Sequence, residues 1–154
     1  MTRLVHFLAI GLTAVILVPG GAHLFALSNK IGLDARDYFR VQSIYRGWAL
    51  FGALIIPTLI LDVLLAFLLR HDGPRFWLAA SSAAGVALTL VVFFVWVFPG
   101  NVATHNWTTI PPHWEVLRTR WEFGHAASAV ITFASLCALT AAAFVSRGHS
   151  RYGP

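Results

Sequence analysis

The chain has 154 residues, of which 58% are hydrophobic and only 11% are charged, with a formal net charge of +5. A soluble domain usually carries about 25% charged residues, so this composition excludes an ordinary soluble domain and favours an integral membrane protein. The basic excess suits an anionic membrane surface and not nucleic acid, because no basic stripe interleaved with aromatic residues is present. The single cysteine, Cys137, excludes an internal disulfide and a CxxC redox pair.

Four apolar runs predict four membrane-spanning helices, because about 20 apolar residues cross a hydrocarbon core of ~30 Å. The runs cover about residues 4–27, 45–69, 76–98 and 121–145. With their loops they use the whole chain, so we expect a single membrane domain, an all-α, up-and-down four-helix bundle. The first run continues past Pro19 to Leu27, which favours a retained span over a cleaved signal peptide.

The first span carries a proline followed by two glycines, Pro19-Gly20-Gly21. Proline removes one helical hydrogen bond and predicts a kink at this point. Two interpretations stay open. Either the kink lets a neighbouring helix approach, or the opened turn lines a cavity beside His23.

A polar connection, residues 28–45, separates the first two spans. Asp34 is placed to cap a short amphipathic helix with Tyr38, Val41 and Tyr45 along one face. We expect such a helix to lie on the membrane surface.

Asp62 is the anomaly of the second span, a carboxylate within hydrocarbon. Such residues face the bundle interior and often have a function. The structural alternative is that Asp62 is neutral or hydrogen-bonded to hydroxyl groups of the bundle. The candidate hydroxyls belong to Thr13, Ser81, Ser82 and Thr140.

Small residues in the last two spans predict close helix packing. The third span contains a run of small residues at 81–85, and the fourth has Gly124, Ser128 and Ser135 along one face.

Most of the remaining polar chemistry lies between residues 101 and 125. The pair Pro111-Pro112 predicts that a helix starts at residue 109 or 110, because proline is tolerated in the first turn. From there one helical face carries aromatic, basic and histidine side chains, with an acid sharing that face. Its members are Trp114, Arg118, Trp121, Glu122 and His125.

His23 should lie beside this face, because helices one and four are antiparallel neighbours in an up-and-down bundle. His23 comes four residues before the end of its predicted span, and His125 comes four residues after the start of its own. Each is therefore about one turn, ~6 Å, below the same surface. We expect His23, Glu122 and His125 to converge there, covered by residues 101–114 and flanked by Asn29 and Lys30.

Three interpretations of this cluster stay open. In the first, the tryptophans are interface anchors, Arg118 and Glu122 form a helical ion pair, and there is no site. In the second, His23, Glu122 and His125 bind a metal, since two histidines and one carboxylate suit non-haem iron. Glu-x-x-His is also the ligand pair of di-iron bundles.

The third interpretation is metal-free acid–base chemistry on an amphipathic aromatic compound. A histidine base oriented by Glu122 would remove a phenolic or benzylic proton, and Arg118 or Lys30 would hold the anion. The predicted catalytic residues are His23, His125, Glu122 and Arg118. The predicted substrate-binding residues are Asn29, Lys30, Trp48, Asn106, Trp107, Trp114 and Trp121, several of which can stack on a ring.

Several of these segments together resemble the anthrone oxygenase-like family of four-helix membrane proteins, first catalogued as a domain of unknown function. The segments are residues 19–23, 28–30, 42–48, 106–108 and 117–125. The resemblance covers about residues 15–130. It implies a membrane-embedded site near His23 and His125. A few relatives oxidise polyketide anthrones to anthraquinones with dioxygen and without a cofactor, and most bacterial relatives have no assigned role.

The basic residues bear on orientation, since four spans place both termini on one side. That side has Arg3, Arg70, Arg75, Arg147 and Arg151, and the opposite side has Lys30, Arg36, Arg40, Arg46, Arg118 and Arg120. The counts are nearly equal, but Asp34, Asp37, Glu115 and Glu122 interleave with the second set, whereas the first set is nearly unpaired and lies in very short segments. We therefore expect the termini in the cytoplasm, the chain being a multi-pass protein of the cell (inner) membrane.

The leading functional expectation is oxidation or binding of a lipophilic aromatic or quinol-like compound, by a cofactor-independent or non-haem-iron oxygenase. The alternative is a non-catalytic membrane subunit or small-molecule-binding protein. Its polar cap would dock a partner, either another membrane protein or a second copy of the chain.

Overall fold

The computed structural model describes residues 1–145, and no strand occurs in that part of the chain. Its seven α-helices are α1 Thr2–Lys30, α2 Ala35–Gln42, α3 Ala49–Gly52, α4 Ile55–Leu68, α5 Gly73–Val92, α6 Phe98–Ala103 and α7 Trp114–Phe144. A 3₁₀ turn, Ser43–Tyr45, precedes α3, and a π-helical segment, Phe93–Val97, joins α5 to α6. Arg147 and Arg151, used above for orientation, lie outside the described residues.

Within residues 1–145, four stretches are long and apolar enough to cross a bilayer, so the chain is a multi-pass membrane protein. They are Thr2–Lys30, Ala49–Leu68, Gly73–Ala103 and Trp114–Phe144. α1 and α5 each pack against both α4 and α7, which closes the predicted all-α four-helix bundle. The third and fourth stretches run past the predicted limits at 98 and 121, so their helices project beyond the apolar runs.

Small residues set the distance between helices. A Cβ on Gly20 would lie 3.3 Å from the Cα of Ala129, so glycine lets α1 and α7 approach closely. A Cβ on Gly124 would lie 2.9 Å from a methyl group of Val97, which confirms close packing there. α1 continues through Pro19, and Gly20 supports the interpretation that this segment serves helix approach.

The predicted start of the last helix at residue 109 or 110 is wrong, because α7 begins at Trp114. The residue before a proline is disfavoured in the α conformation, and residues 110 and 111 both precede one. His113, immediately before α7, has a left-handed backbone with φ of 60°. These three positions keep the chain out of a helix until Trp114.

The cap on α2 is confirmed, because the Asp37 backbone N–H donates to Asp34 Oδ1 at 2.9 Å. The predicted face was only partly right. Tyr38 is fully buried, but its buried companion on α2 is Gln42 and not Val41. This face packs against the end of the bundle, through the bonds of Tyr38 and Gln42 to Glu122. The location of α2 at the membrane surface stays a prediction.

Asp62 faces the bundle interior, as expected, and is fully buried. The Ser82 hydroxyl donates to its Oδ2 at 2.7 Å, which confirms the predicted hydroxyl partner. Ser81 and Thr140, two other candidates, are exposed and donate to carbonyl groups of their own helices.

Candidate functional site

His23 of α1 and His125 of α7 stack on each other. Their ring centroids are 4.2 Å apart and their planes differ by 22°. The close approach of Gly20 to Ala129 lies three and four residues from these histidines, so it holds the two backbones near enough for stacking. The predicted proximity of His23 and His125 is therefore confirmed, while their role stays a prediction.

Aromatic side chains surround the stacked pair. The centroid of the His23 ring lies 4.1 Å from that of Tyr45, 4.8 Å from Trp121 and 6.1 Å from Trp48. Trp121 also contacts His125, at 4.3 Å between centroids. Trp48 and Trp121 were predicted from sequence, whereas Tyr45 was predicted only as part of an amphipathic face.

A buried ion pair lies beside the histidines. Lys30 Nζ is 2.9 Å from Glu122 Oε1, and the two residues are 3% and 0% exposed. The Tyr38 hydroxyl donates to the same Oε1 at 2.9 Å, and Gln42 Nε2 donates to it at 3.3 Å. Three donors from two other segments of the chain thus meet on one carboxylate oxygen. Glu122 Oε2 has no hydrogen-bond partner within residues 1–145.

The hypothesis that Glu122 orients the histidine base is wrong. Glu122 bonds Lys30, Tyr38 and Gln42, and it makes no hydrogen bond to either histidine within residues 1–145. Lys30 is the residue that reaches the histidines, with Nζ 3.4 Å from His23 Nδ1. An ammonium group only donates, so Nδ1 of His23 must accept. Neutral His23 therefore carries its hydrogen on Nε2.

Tyr38 stays a hydrogen-bond donor over the ordinary pH range. Burial, together with the negative charge of Glu122, raises the pKa of the Tyr38 phenol far above its usual value. The protonated phenol is thus a permanent neutral donor to the Glu122 carboxylate.

Arg118 does not form the predicted helical ion pair with Glu122. Its Nη1 donates to the Leu33 carbonyl oxygen at 2.6 Å. Its guanidinium lies 4.5 Å from the centroid of the Trp114 ring and 5.4 Å from that of Tyr38. Arg118 and Trp114 therefore brace α7 against the connection between α1 and α2, one layer away from the histidines.

A strained loop places Trp107 over the cluster. Three consecutive residues, His105, Asn106 and Trp107, have positive φ angles of 47°, 56° and 65°. Such a backbone costs roughly 1–2 kcal/mol for each residue that is not glycine. The Trp107 ring is buried, with its centroid 5.2 Å from Tyr38 and 5.3 Å from Trp121. The strain is offset by this burial.

Trp121 is fixed from the third span. Its indole N–H donates to Asn101 Oδ1 at 2.7 Å, a partner that the sequence analysis did not identify. A Cβ on Gly100 would lie 3.4 Å from the Trp121 ring, so glycine makes room for the indole. The π-helical turn at Phe93–Val97 changes the register of this span just before Gly100 and Asn101.

Two predicted substrate-binding residues lie outside the buried cluster. Asn29 and Asn106 are exposed, whereas Lys30, Trp107 and Trp121 are buried. Tyr38 and Gln42 were missed as site residues. The signal available for them was their place in the segment between the first two spans, where residues 42–48 carry part of the family resemblance.

The arrangement does not fit the metal interpretation. No three His, Cys, Asp or Glu side chains among residues 1–145 are placed to hold a metal ion together. His23 and His125 stack face to face, so their nitrogen atoms do not converge on one point.

The fold and the site define a multi-pass four-helix membrane protein with a buried His–Lys–Glu cluster, enclosed by aromatic rings, at one end of the bundle. Comparison of the chain with protein-family models, with curated proteins and with solved structures gave no match. The resemblance to the anthrone oxygenase-like family therefore stays a prediction.

Proposed function

We propose that this protein binds and oxidises a lipophilic aromatic or quinol-like compound at the end of the bundle opposite the termini. The observation that carries the proposal is the stacked pair His23 and His125, enclosed by Tyr45, Trp48 and Trp121. Two imidazoles in an aromatic enclosure offer proton transfer and ring stacking at one place. The resemblance supports dioxygen as the oxidant.

The geometry suggests distinct roles for the two histidines. Lys30 fixes His23 with its hydrogen on Nε2, so His23 can donate a hydrogen bond to a substrate oxygen. His125 is then the imidazole that accepts the phenolic or benzylic proton. The positive charge of Lys30 stabilises the anion left on the substrate. A benzylic CH₂ group and one dioxygen molecule yield a carbonyl group and water. A quinol and one dioxygen molecule yield a quinone and hydrogen peroxide, so neither reaction requires a further reductant.

Access from the bilayer supports an apolar substrate. His125, Tyr45 and Trp48 are only partly buried, whereas His23 and Lys30 behind them are almost fully buried. A flat ring that arrives laterally from lipid would meet these three aromatic edges first.

The test measures oxygen uptake by the purified protein in detergent, with an anthrone and with a lipophilic hydroquinone as probes. We expect His23→Ala and His125→Ala each to lower turnover at least about 100-fold, since general acid–base catalysis typically contributes 10²–10⁴-fold. His71→Ala, an exposed histidine in the turn at the terminal end of the bundle, is the control. Turnover that persists in both variants would refute the proposal. A metal chelator should leave the rate unchanged.

A second candidate is a non-catalytic subunit that docks a partner through its cap. It is favoured by apolar side chains exposed at this end, Val102, Ile110 and Val116, which are 56%, 53% and 52% exposed. Loss of a co-purifying membrane protein, or of a homo-oligomer, in an Ile110→Asp variant would support this candidate if neither probe is oxidised.

We propose an inner-membrane location with both termini in the cytoplasm. Arg3 and Arg70 are exposed at the terminal end and lie in short segments. At the other end Lys30 is buried in its ion pair, whereas Arg36, Arg40, Arg46 and Arg120 are exposed, and acidic residues lie near them in the sequence. Arg75, also at the terminal end, differs from Arg3 and Arg70 because it forms an ion pair with Asp72. Reporter fusions at residue 154 and in the 71–75 turn test this orientation, and periplasmic activity at both positions would invert it.

A further inference from the structure

A second buried polar cluster lies in the bundle interior, away from the histidines and independent of the function proposed for them. Each span contributes one side chain to it: Thr13 from α1, Asp62 from α4, Ser82 from α5 and Ser135 from α7. All four are buried, and the first three are completely inaccessible. We call this set the polar layer.

Helix register places the four residues at one level. Ser82 donates directly to Asp62, and a Cβ on Gly85, one turn further along α5, would touch the Ser135 hydroxyl. Gly20 lies opposite Ala129. Because α1 and α7 are antiparallel, residues seven positions nearer the termini on each helix also lie opposite each other. Thr13 therefore lies opposite position 136, next to Ser135.

An apolar layer one turn nearer the termini confirms this register. Its members occur three or four residues away from the polar positions on their own helices, and they form one packed cluster. They include Ala9, Leu65, Ala66, Ala79 and Leu139. The polar layer is thus a cross-section of the bundle to which each of the four helices contributes one buried side chain with an oxygen atom.

Two oxygens of the layer lack a partner within residues 1–145. They are Asp62 Oδ1 and Thr13 Oγ1, and both atoms are buried. A buried polar atom without a partner destabilises the folded protein, and more so if it is charged. Buried hydroxyls elsewhere avoid this cost, since Thr58 and Thr89 donate to carbonyl groups of their own helices. The two unpartnered oxygens come from different helices and are not bonded to each other, so a small ligand between them would satisfy both.

No cationic side chain neutralises Asp62 within the described bundle. Towards the termini the basic groups on the packed helices are His6, Arg70 and Arg75, and each bonds elsewhere. His6 bonds the Leu139 carbonyl oxygen, Arg70 bonds the Phe67 carbonyl oxygen, and Arg75 bonds Asp72 and the Ala142 carbonyl oxygen. His6 is seven residues from Thr13, about 10 Å along α1. Towards the other end the next such group on α1 is His23, ten residues or about 15 Å away. An ionised Asp62 therefore needs a cation that the side chains do not supply.

We propose that the polar layer binds one monovalent cation, a sodium ion or a proton, between Asp62 and Thr13. A single carboxylate balances a single positive charge, whereas a divalent ion would leave net charge in the membrane interior. Carboxylate and hydroxyl oxygens are hard ligands suited to small hard cations. Ser82 and Ser135 complete the oxygen set, since both carry buried hydroxyl groups at this level of the bundle.

The sodium arm of the test measures the thermal midpoint of the full chain in detergent. Sodium chloride is raised while choline chloride keeps the ionic strength constant. Above the dissociation constant, each tenfold rise in sodium stabilises the protein by about 1.4 kcal/mol, or roughly 3–6 °C for a chain of this size. Asp62→Asn keeps the side-chain shape and should abolish the rise. Ser81→Ala, which alters an exposed hydroxyl beside Ser82, should retain it.

The proton arm uses infrared spectroscopy of the same proteins at neutral pH. A proton at the site gives the carbonyl band of a protonated carboxylic acid, which Asp62→Asn removes and Ser81→Ala keeps. A sodium-dependent midpoint without this band assigns sodium, and the band without sodium dependence assigns a proton. Absence of both effects in the unaltered protein overturns the proposal.

Thr13→Val is a second variant, which decides the matter if Asp62→Asn does not fold. It has nearly the same shape and removes only the unpartnered hydroxyl. We expect it to weaken apparent sodium affinity at least about tenfold, or to shift the carbonyl band, because even outer partners of ion ligands contribute 10–100-fold. A Thr13→Val protein that matches the unaltered one in both measurements overturns the proposal.

Discussion

The ion pair between Lys30 and Glu122 can be tested by removing one charge at a time. Its two atoms are 2.9 Å apart in residues that are 3% and 0% exposed. Glu122→Gln keeps the side-chain shape and an acceptor for the Tyr38 hydroxyl. It leaves the Lys30 ammonium buried, with His23 Nδ1 at 3.4 Å as its remaining polar neighbour.

The expected loss of stability follows from this burial. Removing one partner of a buried ion pair costs about 3–5 kcal/mol, because the other charge stays uncompensated. For a chain of this length 1 kcal/mol shifts the thermal midpoint by about 2–4 °C, so Glu122→Gln should lower it by roughly 6–20 °C. Lys30→Met in the same chain removes the stranded charge, and neutral replacement of a whole pair is often tolerated. The double variant should therefore recover most of the loss.

The assay is a double-mutant cycle on the purified protein in detergent. Thermal or denaturant midpoints are measured for the original chain, Glu122→Gln, Lys30→Met and the double variant. Glu115→Gln is the matched control, because Glu115 is an exposed acid in the first turn of the same helix and should change the midpoint little. Turnover of the aromatic probes, measured in parallel, should fall in Glu122→Gln and not in Glu115→Gln.

Additive effects would refute this reasoning. If the double variant loses the sum of the two single losses, to within about 0.5 kcal/mol, the charges are not coupled. A Glu122→Gln protein as stable as Glu115→Gln would likewise show that Lys30 finds water or another partner at this end of the bundle.

Two further predictions concern Tyr38 and the approach of α1 to α7. The pKa of Tyr38 is raised above the value of about 10 in the unfolded chain, so the stabilisation it gives is complete below pH ~10 and is lost as pH rises further. Tyr38→Phe should lower stability by about 1 kcal/mol at neutral pH. It should also make the loss of stability at alkaline pH less steep, as measured by thermal midpoints from about pH 8 to 11. An equally steep loss in the variant would contradict this prediction. Gly21→Ala should stabilise the protein by about 0.5–1 kcal/mol, because an added Cβ meets nothing within 4 Å. Gly20→Ala should stabilise the protein less, or destabilise it, because its Cβ would lie 3.3 Å from Ala129. Equal midpoints for the two glycine variants would show that the contact yields freely.

The sequence by itself determined the bundle and the depth of the histidines. Long apolar runs can satisfy their backbone polar groups in a bilayer only as helices, so composition and length predict the four spans. Chain order then makes α1 and α7 antiparallel neighbours, and counting residues from the span ends brings His23 opposite His125. The Asp34 cap was also predictable, because it depends on residues three apart.

Only the tertiary structure decided which partners Glu122 and Arg118 take. The hydrogen-bond partners Tyr38 and Gln42 are 84 and 80 residues from Glu122, and Arg118 bonds a carbonyl oxygen 85 residues away. On its own helix Arg118 seemed a natural partner for Glu122, but that local pairing is weak in energy and yields to buried contacts from another segment. Side-chain spacing along one helix indicates which residues share a face. The packing of α2 against the end of the bundle determines which residues contact that face of α7.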